Sequence, residues 1–110
     1  MDAFFAAVRG GDFDALVAVL DPDIAVRSDH GRLREIRGAR AAAEGALMFS
    51  HLAQWVQPVL VNGIAGVVSR LPNGQVFSVM SFTVKDNRIA EINIIRDPDR
   101  LHKLDLTSLD

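Results

Sequence analysis

The sequence predicts an α+β domain in which helices cover one face of a curved antiparallel sheet. Apolar residues follow a helical spacing near the start of the chain and again after Gly38. From residue 54 onward the pattern changes to period two and β-branched content rises. The connections between those later stretches are short and built of turn residues, so consecutive strands should pair as an antiparallel meander.

The first element is a short helix over 2–9, with Phe4, Phe5 and Val8 on one side and a left-handed stop at Gly10-Gly11. Asp12 then N-caps a second helix whose stripe is Phe13, Leu16, Val17 and Leu20, with Asp14 at the positive end of its dipole. Asp21-Pro22-Asp23 closes that helix, because a residue preceding proline is pushed out of the α region. Residues 24–28 alternate like a half-exposed strand, and Asp29-His30-Gly31-Arg32 form a polar loop. The chain passes through 33–37 to Gly38, where an alanine-rich helix runs to about residue 50, its apolar side being Ala39, Ala42, Ala43, Ala46, Leu47 and Phe49.

Four strands follow, over 54–62, 64–70, 76–85 and 88–96. Pro58 marks the first of them as an edge, since it cannot donate to a ladder. Asn62-Gly63, Pro72-Asn73-Gly74 and Asp86-Asn87 supply the turns, and 97–101 makes a last helical turn. With 110 residues and no repeat or low-complexity tract, residues 1–110 read as a single domain.

Composition excludes several function classes. The chain has no cysteine, which removes disulfides, thiolate nucleophiles and zinc ribbons, and its three histidines are scattered, so neither metal nor cofactor is expected. A net charge of −2 argues against direct nucleic-acid contact. The sequence shows no membrane span and no signal peptide, and a cytoplasmic location is expected.

Candidate acid-base groups are sparse. The inward strand positions hold Val59, Val61, Val76, Met80, Phe82, Val84, Ile92 and Ile94 on one reading of the pleat; on the other they hold Phe77, Val79, Ser81, Glu91 and Asn93. Glu91 reads as solvated, and becomes a candidate base if it points inward. There is no tyrosine, so an oxyanion hole would need Trp55, Asn93, Ser78 or Ser81. Asp29 and His30 form an alternative catalytic pair at the loop; against it stands an Asx-type turn at Asp29 with a solvated His30. His51 reads as a helix C-terminal cap and His102 as a surface residue. Arg27, Arg32, Arg34, Arg37 and Arg40 outnumber Asp29 and Glu35 over 27–40, which reads either as a solvated face or as a docking patch for an acidic protein surface.

The element order resembles the NTF2-like, or SnoaL-like, cone over nearly the whole chain. Two stretches match something narrower: Val61-Asn62-Gly63-Ile64-Ala65-Gly66-Val67-Val68 and Asp97-Pro98-Asp99-Arg100-Leu101. With the opening 4–16 they resemble the C-terminal SnoaL-like domain of extracytoplasmic-function (ECF) sigma factors. That family carries Asn-Pro-Asp-Lys-Leu after the last strand, and here Asp97 replaces its Asn and Arg100 its Lys. It also carries Asp-Gly-Gly-Gly-Lys after the first strand, of which Asp29-His30-Gly31-Arg32 is a shorter, altered version.

The resemblance implies a regulatory domain, not an enzyme, forming the C-terminal part of a longer sigma factor. It would bind the sigma core in the same chain and act on RNA polymerase, with DNA contact residing elsewhere. The implied protein-binding residues are Asp29, Arg32, Asp97, Pro98, Asp99, Arg100 and Leu101, with Arg32 and Arg100 as charge anchors. The alternative is a stand-alone small-molecule enzyme or binder of the SnoaL or ketosteroid-isomerase type using Asp29 and His30. A homodimer through the outer sheet face is open on either reading.

Overall fold

The computed structural model of the protein describes residues 2–29, 34–49 and 55–108. Its elements run α1 (Asp2–Gly10), α2 (Phe13–Val19), β1 (Leu20–Ser28), β2 (Arg34–Arg37), α3 (Ala39–Phe49), β3 (Trp55–Val61), β4 (Ile64–Arg70), β5 (Val76–Lys85), β6 (Arg88–Ile95), α4 (Pro98–Leu101) and β7 (Leu106–Ser108). The α+β order expected from the sequence is therefore present, with two strands added, β2 and β7.

Local chemistry places most boundaries. Gly11 adopts φ +65° after α1, and the Asp12 carboxylate accepts the Ala15 N–H at 3.1 Å to cap α2. Asn62 and Gly63 both have positive φ (50° and 85°), as do Asp86 and Asn87 (53° and 64°), the backbone that a two-residue hairpin requires.

Three expectations need correction. The strand expected at 24–28 begins at Leu20, so Asp21-Pro22-Asp23 ends α2 from inside β1 and not from a separate linker. Pro22 has no N–H to give, and the ladder to β6 skips from Leu20 to Ala25, with the Asp23 N–H donating instead to the Asp21 carboxylate at 2.8 Å. Residues 34–37 are a strand, held by antiparallel pairing of Arg34–Arg37 with Ser28–Ala25. β3 is not the outermost strand: β7 pairs with it at Val59, Leu60 and Val61, one residue past Pro58.

Among the described residues, seven strands form one sheet in the order β2-β1-β6-β5-β4-β3-β7. The β3 to β6 stretch is the expected meander, while β1 joins β6 in parallel. Register shifts within β4–β5 and β5–β6 are the irregularities that bend a sheet into a curve.

Helices α1, α2 and α3 cover one face. Phe4 and Ala7 of α1, Leu16 of α2 and Ala39, Ala42 and Ala43 of α3 bury against Ile24, Val67, Phe82, Ile89 and Ile92. Phe4, Phe5 and Phe82 meet edge to face, with ring centroids 5.3 to 6.0 Å apart. Leu16 and Ile24 are fully buried, each contributing about 1.5–3 kcal/mol by burial.

Neither reading of the pleat holds throughout. Met80, Phe82, Ile92 and Ile94 face the helices, but Val59 and Val61 pack with Val68 and Val79 in a second cluster. Val67 and Val68 are consecutive and belong to different clusters, so the two clusters occupy opposite faces of the sheet. The second is covered by the tail, through Leu101, Leu104 and Leu106.

Candidate functional site

The parallel ladder of β1 and β6 extends one residue beyond β1, where the Asp29 N–H donates to the Ile94 carbonyl at 3.3 Å. This carries Asp29 to the C-terminal ends of both strands, beside the residues that follow β6. Its carboxylate accepts the Arg96 backbone N–H at 2.7 Å through Oδ1 and the Arg100 guanidinium at 2.9 Å through Oδ2. The Asp29 side chain is 7% exposed and that of Arg100 is 50% exposed. One carboxylate thus ties the end of the first long strand to the chain leaving the last one.

The residues after β6 are ordered by their own caps. Asp97 accepts the Asp99 N–H at 3.1 Å and Pro98 occupies the first turn, where its missing N–H costs nothing. Arg96 lies over the Phe77 ring, 4.2 Å from its centroid. Pro98, Asp99 and Arg100 remain exposed, while Leu101 turns onto Val59, Val61, Val68 and Val79. Farther along, Asn62 exchanges hydrogen bonds with Asp105: the Asn62 N–H donates to the Asp105 carbonyl, and the Asp105 N–H donates to Asn62 Oδ1, both at 2.8 Å. Leu101 thus packs the 97–101 stretch onto Val61 and Val68 of the 61–68 stretch, and Asp29 holds the 97–101 stretch through Arg100.

Of the sequence-predicted site residues, the structure brings together Asp29, Arg100 and the Asp97–Leu101 turn. His30, Arg32 and His51 lie outside the described residues, as does the side chain of Trp55. His102 is exposed at the end of α4. Sequence reasoning missed the direct Asp29–Arg100 pair, the Arg96 N–H and the Asn62–Asp105 latch. The apolar residues Leu101, Leu104 and Leu106 were the available signal that the tail folds back.

Glu91 lies on the sheet face away from α1, α2 and α3, since its neighbour Ile92 packs toward them. Its carboxylate takes the Arg27 guanidinium and accepts the Asn93 amide at 3.0 Å. Glu35 bridges Arg27 at 3.5 Å and Arg37 at 3.0 Å. In the basic 27–40 stretch, Arg27 and Arg37 thus belong to a neutralised ion-pair cluster at the surface, a partly exposed set of the kind that contributes little individually. Ser69 and Ser78 are buried polar residues, and the Asp29 side chain is buried as well. No group of three or more metal-binding side chains occurs among the described residues, and none of their helices is long and apolar enough to cross a membrane.

A scan against protein-family models finds no match, and a search of the curated proteins finds none. Solved structures are similar. The chain superimposes on an extracytoplasmic function sigma factor, SigJ, from Mycobacterium tuberculosis with a TM-score of 0.75 and 25% identity, covering 91% of this chain and 41% of that one. The chain therefore spans less than half the length of that sigma factor. A candidate polyketide cyclase from Sinorhizobium meliloti matches at 28% identity and a TM-score of 0.58, over 84% of this chain and 90% of that one. An NTF2-like protein from Burkholderia xenovorans matches at 21% identity and a TM-score of 0.55, over 84% and 82%. The fold is the NTF2-like, SnoaL-like α+β cone.

Proposed function

We propose that this chain is a regulatory domain of an ECF sigma factor that modulates sigma activity through protein contacts with the sigma core. The observation that carries this reading is the assembly of the resembling stretches into one unit. Leu101 of the 97–101 stretch packs on Val61 and Val68 of the 61–68 stretch, and Asp29 pins Arg100 in the same turn. The likeness to SigJ over 91% of the chain supports the same reading.

On this reading Arg32, Pro98, Asp99 and Arg100 make the contact, while Asp29 and Leu101, turned inward, hold the Asp97–Leu101 turn in place. The Asp29–Arg100 pair fixes the α4 turn, so Pro98 and Asp99 are presented in one orientation. A tethered module meets its partner at high effective concentration, and modest contacts suffice. The test is a titration of the 110-residue chain with the sigma core regions supplied in trans, alongside the Arg100→Glu variant. Binding that weakens in the variant is expected. No detectable binding in trans, and none when the two are fused, overturns the proposal.

A second reading rests on the 28% identity to the candidate polyketide cyclase: a small-molecule enzyme or binder with Asp29 and His30 at the mouth of the cone. Replacing both by alanine would then abolish turnover, and unchanged turnover removes them from the chemistry. Sigma regions encoded upstream in the same reading frame would favour the first reading over this one.

A further inference from the structure

We propose that a groove at the N-terminal ends of β1 and β6 docks an extended acidic protein segment. The groove lies at the opposite end of the parallel β1–β6 pair from Asp29, so the inference stands apart from the sigma-factor reading. It has a volume of about 580 Å³ and is open to solvent. Val17, Ala18 and Pro22 give it half-exposed and exposed apolar surface.

Three arginines from three elements line it: Arg37 at the end of β2, Arg40 in the first turn of α3 and Arg88 at the start of β6. Among the described residues, no carboxylate lines it. A chain with a net charge of −2 thus gathers three guanidinium groups on one concavity, two of which, Arg40 and Arg88, stand outside the neutralised Glu35–Glu91 cluster. Arg37 shares Glu35 with Arg27, but neither Arg40 nor Arg88 has an ion-pair partner among the described residues. Arg40 is steadied by the Phe13 ring, 5.0 Å from its centroid, which orders the guanidinium without neutralising it.

The occupant follows from shape and charge. Guanidinium forks bind carboxylates in a bidentate fashion, which favours Asp and Glu side chains. Arg37, Arg40, Arg88 and Pro22 are all exposed, so the groove is too open to enclose a small molecule, whose sites bury roughly 70–90% of the ligand. Cations standing on three separate elements instead suit carboxylates spaced along a polypeptide, with apolar side chains between them resting on Val17 and Pro22.

The experiment is fluorescence anisotropy of the 110-residue chain with a labelled peptide alternating Glu and Leu, and with its Gln-Leu counterpart. The Glu peptide should bind, more weakly at high salt, and the Gln peptide should not. Arg40→Glu with Arg88→Glu should weaken binding at least about tenfold, whereas Arg40→Lys with Arg88→Lys should stay within about threefold. Arg88→Glu alone, which leaves the Arg40–Phe13 contact intact, should still weaken binding about threefold and covers the case in which the double reversal does not fold. Lys103→Glu, distant in the fold, should bind as the parent does. Equal binding of both peptides, or unchanged affinity in the charge-reversed variants, overturns the proposal. Inorganic phosphate binding more tightly than the peptide would make the groove a small-anion site and overturns it equally.

Discussion

Replacing Asp29 by alanine removes one carboxylate and leaves two donors without it. The Arg96 backbone N–H, 2.7 Å from Oδ1, loses a charged acceptor at a site where the Asp29 side chain is 7% exposed. A hydrogen bond to a charged group is worth about 1.5–3 kcal/mol. The Arg100 pair at 2.9 Å adds less, because half of the arginine side chain is in water and such pairs are worth about 0.2–1 kcal/mol. The sum is about 2–4 kcal/mol for Asp29→Ala. Arg100→Ala should cost about 0.5 kcal/mol, and Asp29→Asn, which keeps an oxygen for Arg96, should cost about 1 kcal/mol. For a domain of this size each kcal/mol moves Tm by about 4 °C, so thermal melts should separate the three variants clearly. Equal losses for Asp29→Ala and Arg100→Ala would refute the argument, since they would mean that the Arg96 N–H contributes nothing beyond the exposed ion pair.

Other expectations follow from single contacts. Gly66→Ala would set a Cβ 2.2 Å from the Met80 carbonyl oxygen and 2.8 Å from Val61, so a backbone must move; the urea midpoint should fall by the equivalent of about 3 kcal/mol. Leu16→Ala, at a fully buried position, should cost about 2–5 kcal/mol in the same assay. Asn62→Gly keeps the positive φ but deletes the acceptor for the Asp105 N–H, so hydrogen exchange at Asp105 should accelerate while the 62–63 turn persists. Asp12→Ala removes the cap on Ala15 and should cost about 1 kcal/mol in the urea series.

The elements that local chemistry dictates were legible in the sequence. Asp12, Gly11, Asn62-Gly63 and Asp86-Asn87 each force a backbone conformation by themselves, and the structure places a cap or turn at each. What depends on a distant partner was not. Arg34–Arg37 carries four exposed side chains and no apolar alternation, and it is a strand only because β1 offers a free edge. Period two shows that Val59 and Val61 share a side, but the side itself is decided by Leu101, Leu104 and Leu106 folding back over it. For the candidate site, Asp29 and the 97–101 turn were singled out separately, 71 residues separating Asp29 from Arg100. Their pairing is a product of the β1–β6 register, which no local pattern encodes.

That parallel pairing also governs when the domain can form. β1 is synthesised early, yet its inner neighbour β6 supplies Ile89 to Ile94 only after the whole meander has been made. Until then the parallel side of β1 has no ladder, and Ile24, buried in the finished fold, has no Ile92 to close over it. Helices α1 and α2 can pair locally, but completion of the sheet waits on a contact of long sequence separation, the kind that slows folding and prolongs exposure of apolar strands. Removal of residues 88–95 should therefore leave a chain that is collapsed but unfinished, and cotranslational folding of this domain would come late, once β6 has cleared the ribosome.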